Sequence, residues 1–141
     1  MSSEVNATGR CLCGAISYAI KGEPTIMALC HCRACQQASG AGHISVAFFA
    51  ADQVEIKGET TGHVSTADSG NILTRHFCPS CGGRIFNMNS ARPGVVGIMV
   101  GSVDDSSWFS PQAVVYTKDR SSWDKTPTDI PNFEAMPPMP K

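Results

Sequence analysis

With 141 residues, of which 42% are hydrophobic and 16% charged, the chain has an ordinary globular composition and the length of a single domain. Its formal net charge of -1, with no Lys/Arg cluster, excludes a nucleic-acid binder that works by bulk electrostatics. The longest apolar runs, such as 95–100, are too short to span a bilayer, and the polar first ten residues lack the apolar segment of a signal peptide. The chain is therefore expected to be cytoplasmic, with no membrane and no nucleic-acid partner. Its oligomeric state is left open.

The chain predicts a flexible leader over 1–8, a single zinc-binding β domain over 9–130 and a proline-rich tail over 131–141, loosest from Met136 onward. Residues 10–21 alternate. Leu12, Ile16, Tyr18 and Ile20 fall on one face, and Cys11 and Cys13 share the other. A period of two is that of a strand, and it turns both thiols to one side, as a metal needs from a C-x-C pair. Gly22-Glu23-Pro24 is a turn. Residues 25–29 then form a short strand that enters Cys30-His31-Cys32-Arg33-Ala34-Cys35. Residues 33–39 predict a short helix stopped by Gly40. Strands follow at 43–50, with Ile44, Val46 and Phe48 on one face, at 54–57 and at 61–66. Asp68-Ser69-Gly70-Asn71 is a turn. Residues 72–77 run into Cys78-Pro79-Ser80-Cys81-Gly82-Gly83, and 84–88 run out. That is a strand, a tight turn with two thiolates, and a strand, the form of a zinc knuckle. Apolar strands at 95–103 and 113–117 complete a mainly β, mostly antiparallel small domain of about eight strands with one short helix.

Seven cysteines is an odd number, so they cannot all pair as disulfides within one chain. In a reducing compartment clustered thiols point to metal or catalysis. Cys11, Cys13, Cys78 and Cys81 together make a four-thiolate set, the closed arrangement of structural zinc, which contributes folding free energy to a small core. Cys30, Cys32 and Cys35 remain. Three protein ligands leave a fourth position for water or substrate, as in catalytic zinc. His43 or His76 could instead close that site. His31 is not expected to, because both its neighbours are ligands and its side chain points away. Free thiols, or a split in which Cys30 and its neighbours join Cys78 and Cys81, are further arrangements. An open three-thiolate zinc suits thiol binding, since a bound thiol loses its proton near neutral pH and can add to a small aldehyde. A ligand cysteine could also dissociate and act as a nucleophile.

Read together, Gly9-Arg10-Cys11-Leu12-Cys13-Gly14-Ala15-Ile16, Cys30-His31-Cys32-Arg33-Ala34-Cys35-Gln36 with Ser39-Gly40, and Phe77-Cys78-Pro79-Ser80-Cys81-Gly82 resemble the glutathione-dependent formaldehyde-activating enzyme family, which includes centromere protein V. Gly101-Ser102-Val103-Asp104-Asp105 and Ser122-Trp123 are also similar to it. The resemblance implies a β-tent fold and two zinc sites. One is structural, on Cys11, Cys13, Cys78 and Cys81; the other is labile and catalytic, on Cys30, Cys32 and Cys35. It further implies a carbon–sulfur lyase of the S-(hydroxymethyl)glutathione synthase type, with glutathione and formaldehyde as substrates. The alternatives are a non-catalytic zinc module that binds a protein or a small thiol, and a zinc-storage or redox role.

Glutathione is anionic, so arginines are candidate partners for its carboxylates. Arg33 lies in the cysteine turn, and Arg75 and Arg84 flank the knuckle, where solvated strand-edge charges are the plainer reading. His43 is a candidate proton donor or a structural histidine. Gln36 and Ser39 lie beside the thiols, to bond sulfur or substrate or to cap the helix. Trp108, Phe109 and Trp123 read as core or rim packing.

Overall fold

The computed structural model describes residues 4–67 and 69–137. Residues 1–3 of the expected leader, Asp68 of the expected turn and the last four residues of the tail lie outside the described residues. The fold is mainly β: the described residues form ten strands, one α-helix and three short 3-10 turns. The chain divides into two compact units. The first is the chain up to Thr25 together with Ala47–Phe109; the second is Ile26–Val46 with the chain from Ser110 onward.

In the first unit β1 (Val5–Arg10) pairs antiparallel with β2 (Ser17–Gly22), which pairs antiparallel with β5 (Val54–Lys57). The expected leader is thus partly a strand. Val5 opens β1 opposite Gly22, at the end of a six-pair ladder, and is 3% exposed. Ile16, Tyr18 and Ile20 are buried as the alternation requires. Leu12 breaks the expectation at 87% exposed. Residues 11–16 are a turn rather than a strand, so the period-two argument does not hold there.

The same unit holds an antiparallel run of β6 (Thr61–Thr66), β7 (Ile72–Phe77), β8 (Arg84–Asn89) and β9 (Val95–Met99), in that order. The β7/β8 register shifts between His76 and Phe77, where the hairpin opens into the second cysteine turn. The strand expected over 95–103 ends at Met99 and continues as a 3-10 turn, Val100–Ser102.

The second unit is built on β3 (Ile26–Cys30), which pairs in parallel with β10 (Ala113–Val115). All of β10 and all of β3 except Ile26 are buried, so both read as continuous apolar runs, the habit of parallel strands. The helix α1 (Arg33–Ser39) ends on Gly40 in the left-handed conformation, as expected. Strand β4 (Ile44–Ala50) begins in this unit and ends in the first. Phe49 is fully buried, while Phe48, expected on one face with Ile44 and Val46, is half-buried. The start of the tail is bonded: Phe133 donates its N–H to the Val114 carbonyl and Val114 donates to Pro131.

Candidate metal centres

Two turns build the four-thiol group within the first unit. In one, the Cys11 N–H donates to the Ile16 carbonyl at 3.0 Å and the Gly14 N–H to the Cys11 carbonyl at 3.2 Å. In the other, Cys78 N–H donates to Gly83 at 2.9 Å and Gly82 N–H to Cys78 at 2.8 Å. Gly82 adopts φ 77°, which a side chain would strain, so this tight turn demands glycine. The expected C-x-C strand is therefore a second knuckle. A strand would send Leu12 inward; a turn presents it to solvent and turns both thiols toward Cys78 and Cys81.

Backbone N–H groups point at the sulfurs: Ile16 at Cys11 Sγ (3.3 Å), Ser80 at Cys78 Sγ (3.4 Å) and Gly83 at Cys81 Sγ (3.4 Å). Cys13 Sγ lies 3.7 Å from both Cys11 Sγ and Cys78 Sγ. A tetrahedron with zinc–sulfur bonds of about 2.3 Å has sulfur–sulfur edges of about 3.8 Å. The four thiols fit that edge, and together they form a closed donor set that could hold zinc. Burial alone would push the Cys11 thiol up, but the Ile16 N–H and the neighbouring thiols outweigh it and bring it down to about 6. The N–H groups of Cys13 and Gly83 hold Cys81 below its usual value. Donors that favour thiolate are what a metal set of this kind requires.

Cys30, Cys32 and Cys35 converge in the second unit, from the end of β3 and the start of α1. Cys32 is the N-cap, and its Sγ accepts from the Cys35 N–H at 3.2 Å. Cys35 Sγ lies 3.6 Å from Cys30 Sγ, near a tetrahedral edge, and 2.9 Å from Cys32 Sγ, inside one. Cys30 and Cys35 are buried and Cys32 is half-buried, so Cys32 is the most exposed of the three. The adjoining thiols of Cys32 and Cys35 drive Cys30 strongly upward, so the three cannot all ionise unless a cation joins them. No His, Asp or Glu among the described residues belongs to this group.

The histidines explain why. His31 is fully buried, and both its ring nitrogens are used: Nδ1 donates to the Gly42 carbonyl and Nε2 meets Thr126 Oγ1, each at 3.1 Å. Burial holds its pKa down, against the pull of that carbonyl and of Asp124, so the ring is neutral. His43, half-buried, donates Nδ1–H to Asp124 Oδ2 at 2.7 Å. His31, His43 and Asp124 form a group of their own, and Asp124 comes this close because Gly42 has no side chain in its way. His76 belongs to the first unit, stacked on Phe86 and bonded to Thr60.

Gln36 is buried. Its amide Nε2 donates to the carbonyls of His31 (2.8 Å) and Asp119 (2.9 Å), clamping the cysteine turn to residues 117–119. Ser39 Oγ donates to the Cys35 carbonyl, a helix-end role. Arg33 is exposed, with Nη1 on Gln36 Oε1. Arg75 departs from the solvated strand-edge reading: it is buried, while Arg84 is half-buried and bonds Asn87 Oδ1. Trp108 packs edge-on against Phe49 and Phe109; Trp123 is 69% exposed and does not pack in the core. Asp119, Asp124 and Thr126 were not singled out as site residues. Each lies more than 80 positions from the groups it holds, and no local spacing marks it.

A family model described as glutathione-dependent formaldehyde-activating enzyme matches residues 6–119. No curated protein matches the chain. A crystal structure of a Rhodobacter sphaeroides protein, a structural-genomics target, aligns with a TM-score of 0.53 at 18% identity, covering 69% of this chain and 87% of that one. At that identity the likeness is one of fold. Among the described residues, no helix is long and apolar enough to cross a membrane.

Proposed function

We propose, from the premise that this chain belongs to the glutathione-dependent formaldehyde-activating enzyme family, that it is a zinc-dependent carbon–sulfur lyase joining a thiol, glutathione in the first instance, to formaldehyde or a similar small aldehyde. Zinc is the metal that both thiol groups suit. The observation that carries the reading is the three-thiol group whose adjacent histidine is fully committed to Gly42 and Thr126, so that it offers three ligands and an open side.

In this reading Cys11, Cys13, Cys78 and Cys81 hold a structural zinc, and Cys30, Cys32 and Cys35 hold the catalytic one. Zinc at the three-thiol site, when bound, supplies a soft Lewis-acid position at which a substrate thiol gives up its proton near neutral pH. The chain's part is positional. Gln36 fixes the turn, the Cys35 N–H holds Cys32 Sγ, and the burial of Cys30 and Cys35 keeps water from two of the three sulfurs. The addition is balanced: the thiol sulfur bonds to the aldehyde carbon, the C=O becomes C–OH, and the proton leaving sulfur is returned to oxygen. The reverse step releases the aldehyde and the thiol.

Exchange NMR of formaldehyde with glutathione, with and without the zinc-loaded protein, tests this. Faster exchange in its presence is expected. A rate equal to the spontaneous one would overturn the formaldehyde assignment.

A further inference from the structure

Arg75 lies in the interior of β7, opposite His63 of β6 and Asn87 of β8. Residues paired across antiparallel strands share a face, so these three side chains form one row. Arg75 is 7% exposed and Asn87 9%. Arg75 Nη1 donates to Ser65 Oγ at 2.9 Å, while its Nε–H is buried with no acceptor. No carboxylate among the described residues pairs with it. Asn87 Oδ1 already accepts from Arg84 Nη2 at 2.8 Å, so its free polar atom is the donating amide nitrogen. The row therefore presents a guanidinium edge and an amide N–H, with no acid paired to Arg75 among the described residues.

An arginine cannot shed its proton, and a buried unpaired charge is costly, more so with an orphaned N–H. That cost is met when an anion joins it. The Nε–Nη2 edge, which meets a carboxylate with two parallel N–H bonds, is not the edge that Ser65 uses. We propose that Arg75, with Asn87 beside it, is an oxyanion-binding site that takes a small carboxylate. The site lies within β6–β8, uses none of the cysteines and does not rest on the reaction proposed above.

The test uses the zinc-loaded full chain with sodium acetate as probe, against sodium chloride at equal ionic strength and sodium phosphate as the competing oxyanion. Acetate raises the melting temperature above the chloride control. It also shifts the Arg75 Nε–H resonance saturably in arginine-edited NMR, while the exposed Arg33 stays still. Arg75→Met weakens the acetate response about tenfold or more. Should that variant fail to fold, the wild-type resonance decides alone. An Arg75 Nε–H signal that acetate leaves unmoved, or that responds equally to chloride, overturns the proposal. A response to phosphate but not to acetate overturns the carboxylate assignment.

Discussion

The two thiol groups differ most in how much chain lies between their ligands. Cys13 and Cys78 are 65 positions apart, whereas Cys30 and Cys35 are 5 apart. A metal in the four-thiol group closes a long loop and joins two knuckles; in the three-thiol group it joins residues that one turn already holds together. Loop closure makes the first a matter of folding. The second ties down little chain, so the fold depends on it less. Hydrogen bonding follows the same division. The sulfurs of the closed group accept backbone N–H groups, which spreads thiolate charge into the scaffold. In the three-thiol group Cys32 Sγ accepts the Cys35 N–H, and a side chain, Gln36, also holds the backbone in place.

The largest effect is expected from Cys78→Ser. It removes a fully buried ligand of the closed group and leaves a long loop untied. Loss of about 5 kcal/mol or more would abolish a cooperative melt in a protein of this size. Far-UV circular dichroism during heating reads it, and a melt like wild type would erase the distinction between the two groups. Cys32→Ala comes next. It is expected to drop zinc content from two per chain to one by elemental analysis and to reduce glutathione–formaldehyde exchange to the spontaneous rate. The lost N-cap costs only about 1 kcal/mol. Unfolding of this variant would make the three-thiol group structural. Gln36→Leu strands the His31 and Asp119 carbonyls without their donor, for about 2 kcal/mol. Chelator competition should then release one zinc faster than from wild type and the other at an unchanged rate.

The smallest effect is one of pH and lies away from both thiol groups. Burial pushes the Tyr18 phenol from its ordinary value of 10.0 up to about 12, the Ser102 hydrogen bond opposing and Asp104 adding to it. Below pH 10 both the folded and the unfolded phenol are protonated and nothing changes. Between about pH 10 and 12 the unfolded chain gives up the proton and the folded one keeps it, so stability falls as pH rises. Tyr18→Phe should flatten that fall in urea titrations at alkaline pH without altering zinc content. A change in metal content would tie Tyr18 to the thiol groups, contrary to the division drawn here.

Cysteine spacing carried the partition into four and three, and chemistry decides this locally: C-x-C and C-P-x-C-G each bring two sulfurs together in a few bonds. Ile16, Tyr18 and Ile20 were legible as core because alternation holds along β2. The same alternation misplaced Leu12, since a period of two cannot tell a strand from a turn that begins just before it. Along β4 the grouping of Ile44, Val46 and Phe48 did not tell which face is core, because β4 is buried on both faces over part of its length and polarity then marks no face. Val5 was hidden in a polar segment, where only the ladder with β2 reveals it.

By itself the sequence determined which side chains hold metal-ligating chemistry, the mainly β character and the short helix stopped by Gly40. All of these are properties of neighbours within a few residues. Tertiary structure alone decided that His31 points to Gly42 and Thr126, that Asp124 engages His43, that Gln36 clamps residue 119, and that Arg75 is buried with no acid paired to it among the described residues. Each depends on which strand lies opposite or which distant loop returns, and a side chain's partner across 80 residues of chain is set by packing, not by spacing.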